Sequence, residues 1–254
     1  MPMMLMVIIC VFVYFISFAL ILFCHKYINP KYAILFFMIT NTVLFAGYCI
    51  NEYYRKGHFE FLTFDQISPF MFTMLPLSYF LNEKIKDAYY STAAYLCLGM
   101  FIAMLVSPQE AYLSSYKADA TLLYVFDTLL HLNFSLFGLY LFISETVTIN
   151  LKNLYKAGLF LYSVITFAVI CNFLFHKNYF GMGYYSKYGI YMIRIFETYW
   201  ATLIAYIFGV ALVLILGYEF NYLILRLSSF NKNFKNKPVK EKKDTFEKLE
   251  NDEI

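Results

Sequence analysis

Asp127, His131 and Ser135 recur every four residues inside one long apolar stretch, residues 119–143. Side chains four apart share a face of a helix, so a carboxylate, an imidazole and a hydroxyl would stand in a row. A carboxylate that accepts from one ring nitrogen fixes the histidine tautomer and raises the basicity of the other nitrogen. Such a histidine can serve as a general base. Its partner would be a hydroxyl, from Ser135, from Thr73 or from a substrate. That arrangement supports acyl or phosphoryl transfer on a lipid. The same pair could equally relay a proton in a transporter.

The elements that must hold these residues are membrane helices. The chain has 254 residues, 61% hydrophobic and 15% charged, and its mean hydropathy is +0.59. Soluble domains are about 45–50% apolar and about 25% charged, so this is the composition of a polytopic membrane protein. The expected fold is all-α, a bundle of seven transmembrane helices over residues 3–24, 32–51, 61–81, 88–106, 119–143, 154–175 and 190–216. Together they make a membrane domain of residues 1–217. Residues 218–254 form a short charged cytoplasmic tail, expected to be largely disordered. The first run is too long for a signal-peptide core and lacks a basic leader, which makes it a retained span. The third is interrupted by Asp65, Gln66, Pro69 and Pro76. Proline frees a backbone carbonyl, which neighbouring helices or water must then satisfy.

Seven spans place the termini on opposite sides. Basic residues concentrate at Lys26, Lys31, Lys84, Lys86, Lys152, Lys156 and in the tail. The positive-inside rule then puts the N-terminus outside and the C-terminus in the cytoplasm. The expected location is the plasma membrane, as a multi-pass protein of a bacterium. In the tail, residues 226–243 carry basic charge opposed only by Glu241, and residues 244–254 are acidic apart from Lys248. A basic block beside a membrane can hold anionic headgroups or serve as a plain topological anchor.

At about 1.5 Å per residue, this orientation sets His131 near the bilayer midplane, with Asp127 one turn closer to the outer face. Thr73 reaches a similar depth, as do Asn41, Thr42 and Thr202. Asn172, Asn178, Arg194 and Glu197 lie nearer the outer face and are candidate substrate contacts. Each has a plainer reading. Asp127 and His131 can satisfy each other, Ser and Thr often pack between helices, and Arg194 can pair with Glu197 one turn away. Charge at mid-membrane is costly, which favours a functional role for the acid and the histidine.

Other chemistries lack their signatures. Cys10, Cys24, Cys49, Cys97 and Cys171 show no paired spacing and read as buried small hydrophobes. No histidine or cysteine cluster has metal-ligand spacing, and no phosphate- or dinucleotide-binding loop is present. The expectation is therefore no metal and no cofactor. The aromatic residues suit lipid-facing packing and interfacial belts, which leaves membrane lipids, and not nucleic acid, as the expected partner.

Several short motifs fall in a familiar order. They are Leu75-Pro76-Leu77-Ser78, the Ser107-Pro108 turn, Phe126 to His131 leading to Gly138, then Asn172 and Asn178-Tyr179-Phe180. Together they resemble the bacterial YwaF-like family of seven-span membrane proteins, over most of residues 3–216. That family is similar to eukaryotic membrane lipid acyltransferases. The resemblance implies a seven-helix fold and acyl transfer, with His131 at the position of the family's fifth-helix histidine. It also carries a departure. The family shows a histidine and then a cysteine shortly after the Leu-Pro-Leu run, where this chain has Ser78 and Phe80. Ser78, Thr73 and Ser135 are then the hydroxyls left to stand in for a thiol.

Overall fold

The computed structural model describes residues 3–56, 67–106, 121–176, 179–182 and 198–227. Among these residues there is no strand, and seven α-helices follow one another. They are α1 (Met3–Cys24), α2 (Pro30–Lys56), α3 (Ile67–Leu77), α4 (Glu83–Val106), α5 (Thr121–Ile143), α6 (Leu151–Phe175) and α7 (Tyr199–Leu227). Short 3-10 turns follow α1 (His25–Tyr27) and α3 (Ser78–Phe80), and a third lies at Tyr179–Gly181. Among the described residues four helices, α2, α5, α6 and α7, are long and apolar enough to cross a membrane. The chain divides into two compact units, Met1–Tyr218 and Glu219–Ile254.

Hydropathy locates apolar stretches, whereas the helix starts are set by capping. Helices α2, α4 and α6 begin at Pro30, Glu83 and Leu151, earlier than the expected residues 32, 88 and 154. An asparagine precedes each start. Asn29 Oδ1 accepts from the Lys31 N–H at 2.9 Å, Asn82 Oδ1 from the Ile85 N–H at 3.0 Å, and Asn150 Oδ1 from the Asn153 N–H at 2.8 Å. Asparagine at these positions satisfies donors that a first helical turn leaves unpaired. Pro30 adds a preset φ where its missing N–H costs nothing. The polar first turns therefore belong to the helices. The last helix likewise runs to Leu227, beyond the expected end at residue 216. Its expected first residues, and residues 61–66 of the third expected span, lie outside the described residues.

α5 is the centre of the first unit. It packs against α1, α2, α3 and α4, and 72% of its apolar stretch is buried, against 17% for α7. The reason is visible at Gly138. A Cβ there would run into the Ala93 carbonyl oxygen and would lie 2.6 Å from Cys97 Cβ. With Ala93 and Ala94 opposite it, both fully buried, the backbones of α4 and α5 approach closely, as small residues allow between membrane helices. On the other side Phe37 of α2 meets Phe137 and Tyr140 of α5, with ring centroids 5.7 and 5.9 Å apart. Further along the same seam Gly47 leaves room for the Phe126 ring. α1 and α7 instead expose large apolar side chains, including Phe12, Phe15, Phe208 and Leu212.

α3 is held where its own hydrogen bonding fails. Pro76 has no N–H for the carbonyl four residues back, which is that of Phe72. Asn41 of α2 supplies the missing donor, with Nδ2 2.8 Å from the Phe72 oxygen. Tyr89 of α4 donates to the Met71 carbonyl at 2.8 Å. Two neighbouring helices thus fix the depth and rotation of α3 at the turn that faces α5.

Candidate functional site

The Asp127–His131 turn of α5 faces that clamped turn of α3. His131 Nδ1 lies 2.8 Å from the backbone carbonyl of Asp127 and 3.5 Å from its carboxylate Oδ1. A ring N–H that donates to a carbonyl defines the tautomer, so in neutral His131 the lone pair sits on Nε2. The expected carboxylate–imidazole pair is therefore present, but the shorter bond goes to the helix's own backbone. The carboxylate adds charge at the same nitrogen. The Phe72 ring meets the imidazole edge to face at 4.7 Å, and Phe134 stands beside Phe72 at 5.8 Å. These rings hold the imidazole plane in place. The site is not sealed, since the side chains of His131 and Asp127 keep 12% and 24% of their exposure.

The three hydroxyls weighed as nucleophiles are all committed to backbone carbonyls. Ser135 is fully buried and donates to Cys97 of α4 at 2.6 Å, which makes it a link between α5 and α4. Thr73 donates to Pro69 within α3 at 2.9 Å. Ser78, also fully buried, donates to Leu75 at 2.6 Å. It lies six residues past Phe72, about 9 Å further along the chain. Each hydroxyl has one proton to give, and here it points to a carbonyl.

The outer polar residues separate in the same way. Asn172 of α6 binds the backbone of Tyr179 twice: Nδ2 donates to its carbonyl at 3.0 Å and Oδ1 accepts from its N–H at 2.6 Å. That clamp closes the α6 C-terminal turn, where His176 and Phe180 take positive φ of 51° and 56°. It also sets buried Phe180 edge-on to Phe70 of α3, at 5.9 Å. Asn172 thus spends both amide atoms on the fold. Asn178, Arg194 and Glu197 lie outside the described residues.

Three polar residues gain weight from the structure. Asn41 is fully buried, and its Oδ1 has no hydrogen-bond partner. Asn133 donates from Nδ2 to the Phe37 carbonyl at 3.2 Å. Thr128 is buried, and its Oγ1 has no hydrogen-bond partner. The sequence signal for all three is a polar residue inside an apolar span. It does not say which of them bridge helices and which keep an atom unpaired.

Among the described residues no group of His, Cys, Asp or Glu could hold a metal ion. Comparison with known protein families, with curated proteins and with solved structures finds no match.

Proposed function

We propose that the chain is a seven-span integral membrane protein, N-terminus outside, in which His131 acts as a general base on a lipid substrate. The observation that carries this reading is the Nδ1 contact to the Asp127 carbonyl at 2.8 Å, with the carboxylate 3.5 Å away. In neutral His131 this puts the ring lone pair on Nε2, on the most buried of the four candidate spans among the described residues. The reaction is acyl transfer to a substrate hydroxyl. Nε2 takes the hydroxyl proton as the oxygen attacks the acyl carbonyl. The tetrahedral adduct then expels the donor's leaving group, which receives that proton from the imidazolium. Such a mechanism needs no nucleophile from the chain. It accommodates the engagement of Ser78, Thr73 and Ser135 with backbone carbonyls, and Ser78 and Phe80 at the positions where the family shows a histidine and a cysteine. The resemblance to the YwaF-like family supports acyl over phosphoryl transfer.

The deciding experiment uses purified protein in vesicles that contain a labelled acyl-donor phospholipid and a hydroxyl-bearing acceptor lipid. Transfer is expected in the wild type and lost in His131→Ala at unchanged expression and melting temperature. Equal transfer by the folded variant would remove His131 from the chemistry.

A second reading is proton-coupled transport. It is favoured by the carboxylate and carbonyl of Asp127 sharing one imidazole nitrogen, a geometry that can pass a proton. Proteoliposomes with an imposed pH gradient separate the two, because an enzyme of this kind moves no solute down that gradient.

A further inference from the structure

Three connections meet at one end of the first unit. On the α2–α5 seam, Phe37 meets Asn133 and Tyr140, whereas Gly47 meets Phe126. These helices are therefore antiparallel, and the start of α2 lies beside the end of α5. Gly138 meets Ala93 and Ser135 meets Cys97, so α4 also starts beside the end of α5. α6 starts at the same end, where its Lys156 reaches Asp87 of α4 at 3.4 Å. Residues 25–32, 78–87 and 144–156 thus share one face, the one that the positive-inside rule assigns to the cytoplasm.

This face carries six lysines and three acids. Lys86 pairs with Glu83 at 2.7 Å, and Lys156 with Asp87 at 3.4 Å. Among the described residues, Lys26, Lys31, Lys84 and Lys152 make no ion pair, and all four are exposed. Glu145, also exposed, is the one carboxylate of the face that no lysine neutralises.

Exposed aromatic rings accompany these ammonium groups. Lys26 Nζ lies 5.0 Å from the Tyr27 ring centroid. Tyr32 adjoins Lys31, Tyr79 and Phe80 precede Lys84, and Tyr155 follows Lys152 by one turn, all with exposed rings. A soluble partner is not needed to cover them. At the boundary between acyl chains and headgroups such rings are covered by lipid, while lysine stems carry their charge into the phosphate layer.

We propose that the face built from the α1–α2, α3–α4 and α5–α6 connections binds the headgroups of anionic phospholipids. Lys31, Lys84 and Lys152 supply the charge, one from each helix start, and the neighbouring rings set its depth. The paired lysines contribute less, because Glu83 and Asp87 already answer them. The inference is independent of the chemistry at His131, and its test requires no turnover.

The full chain in detergent at low salt is titrated with short-chain phosphatidylglycerol, with phosphatidylcholine of the same acyl chains, and with inorganic phosphate. Binding is followed by the shift in melting temperature. The wild type is expected to prefer phosphatidylglycerol over phosphatidylcholine by at least about tenfold in Kd, and to ignore inorganic phosphate. Replacing Lys31, Lys84 and Lys152 together by Gln is expected to reduce that ratio at least about fivefold, the value of one lysine near an anionic surface. Replacing the same three by Arg should keep the ratio. If the Gln variant does not fold, Glu145→Gln tests the charge balance in the opposite sense, and its ratio is expected to rise. Three outcomes would overturn the proposal. They are no preference in the wild type, an equal response to inorganic phosphate, and an undiminished preference in the folded Gln variant. The last would assign lipid binding to the basic residues of 226–243.

Discussion

The two halves of α5 differ in what they do with polar side chains. In the second half, from Leu132 to Ile143, the side chains are buried, and Ser135 and Gly138 serve the contact with α4. In the first half, Asp127, Leu129 and His131 retain exposure, and the His131 ring meets Phe72 in the turn of α3 that Pro76 leaves short of a donor. Ser135 lies one turn from His131 on the same face, and yet its proton is spent on a neighbouring helix. Same-face spacing therefore does not make a shared site. What separates the two turns is the neighbour: an unbroken, small-residue α4 on one side, and an α3 that needs outside donors on the other.

Five changes test that contrast. The largest effect belongs to His131→Ala, which should lower transfer by about 10³-fold, within the range for loss of a general base. Thermal unfolding should show the folded state kept. A stability loss with undiminished activity would erase the difference between the halves. Gly138→Ala should act in the opposite sense. It forces a Cβ into the Ala93 carbonyl and Cys97, and should cost about 3 kcal/mol or prevent folding. Its melting temperature in detergent measures this, and a normal value would refute the close α4–α5 approach.

Asp127→Asn should cost about tenfold in rate, the scale of losing a residue that orients a functional histidine. The tautomer survives because its shorter bond is to the backbone carbonyl. A loss as deep as that of His131→Ala would make the carboxylate the reacting group. Ser135→Ala removes one interhelical hydrogen bond and should destabilise by about 1 kcal/mol with unchanged rate per folded molecule. A fall in rate would move Ser135 into the site. The smallest effect is expected for Lys156→Ala. Its ammonium is 3.4 Å from the exposed Asp87 carboxylate, and Lys156 itself is half-buried at the surface, so stability should change by less than about 0.5 kcal/mol.

Some of this organisation was legible in the residues. An all-helical chain with apolar spans follows from composition, because only such helices bury their own backbone in lipid. Asp127 and His131 were recognisable together, because a four-residue spacing is a local property of any helix. Hydropathy alone puts the starts of α2, α4 and α6 at residues 32, 88 and 154, whereas Asn29, Asn82 and Asn150 cap polar first turns and move the starts earlier. Ser135, Thr73 and Ser78 looked equivalent as hydroxyls, and only their carbonyl partners tell them apart. Asn172 looked like a substrate contact, and its two bonds to Tyr179 show it closing a turn. Asn133 raised no expectation at all, since its role depends on which helix lies across from it.

The sequence by itself determined the secondary structure and the local pair, because periodicity, capping and i to i+4 geometry act within one segment. Tertiary structure decided which helix is central, which hydroxyls are spent, and where an acceptor is left over. The physical reason is Pro76. Its missing N–H is written in the sequence, but the donor that answers it, Asn41, lies 31 residues from the freed Phe72 carbonyl and on another helix. Only the packing of α2 against α3 shows that the answer uses one atom of that amide and leaves the other without a hydrogen-bond partner.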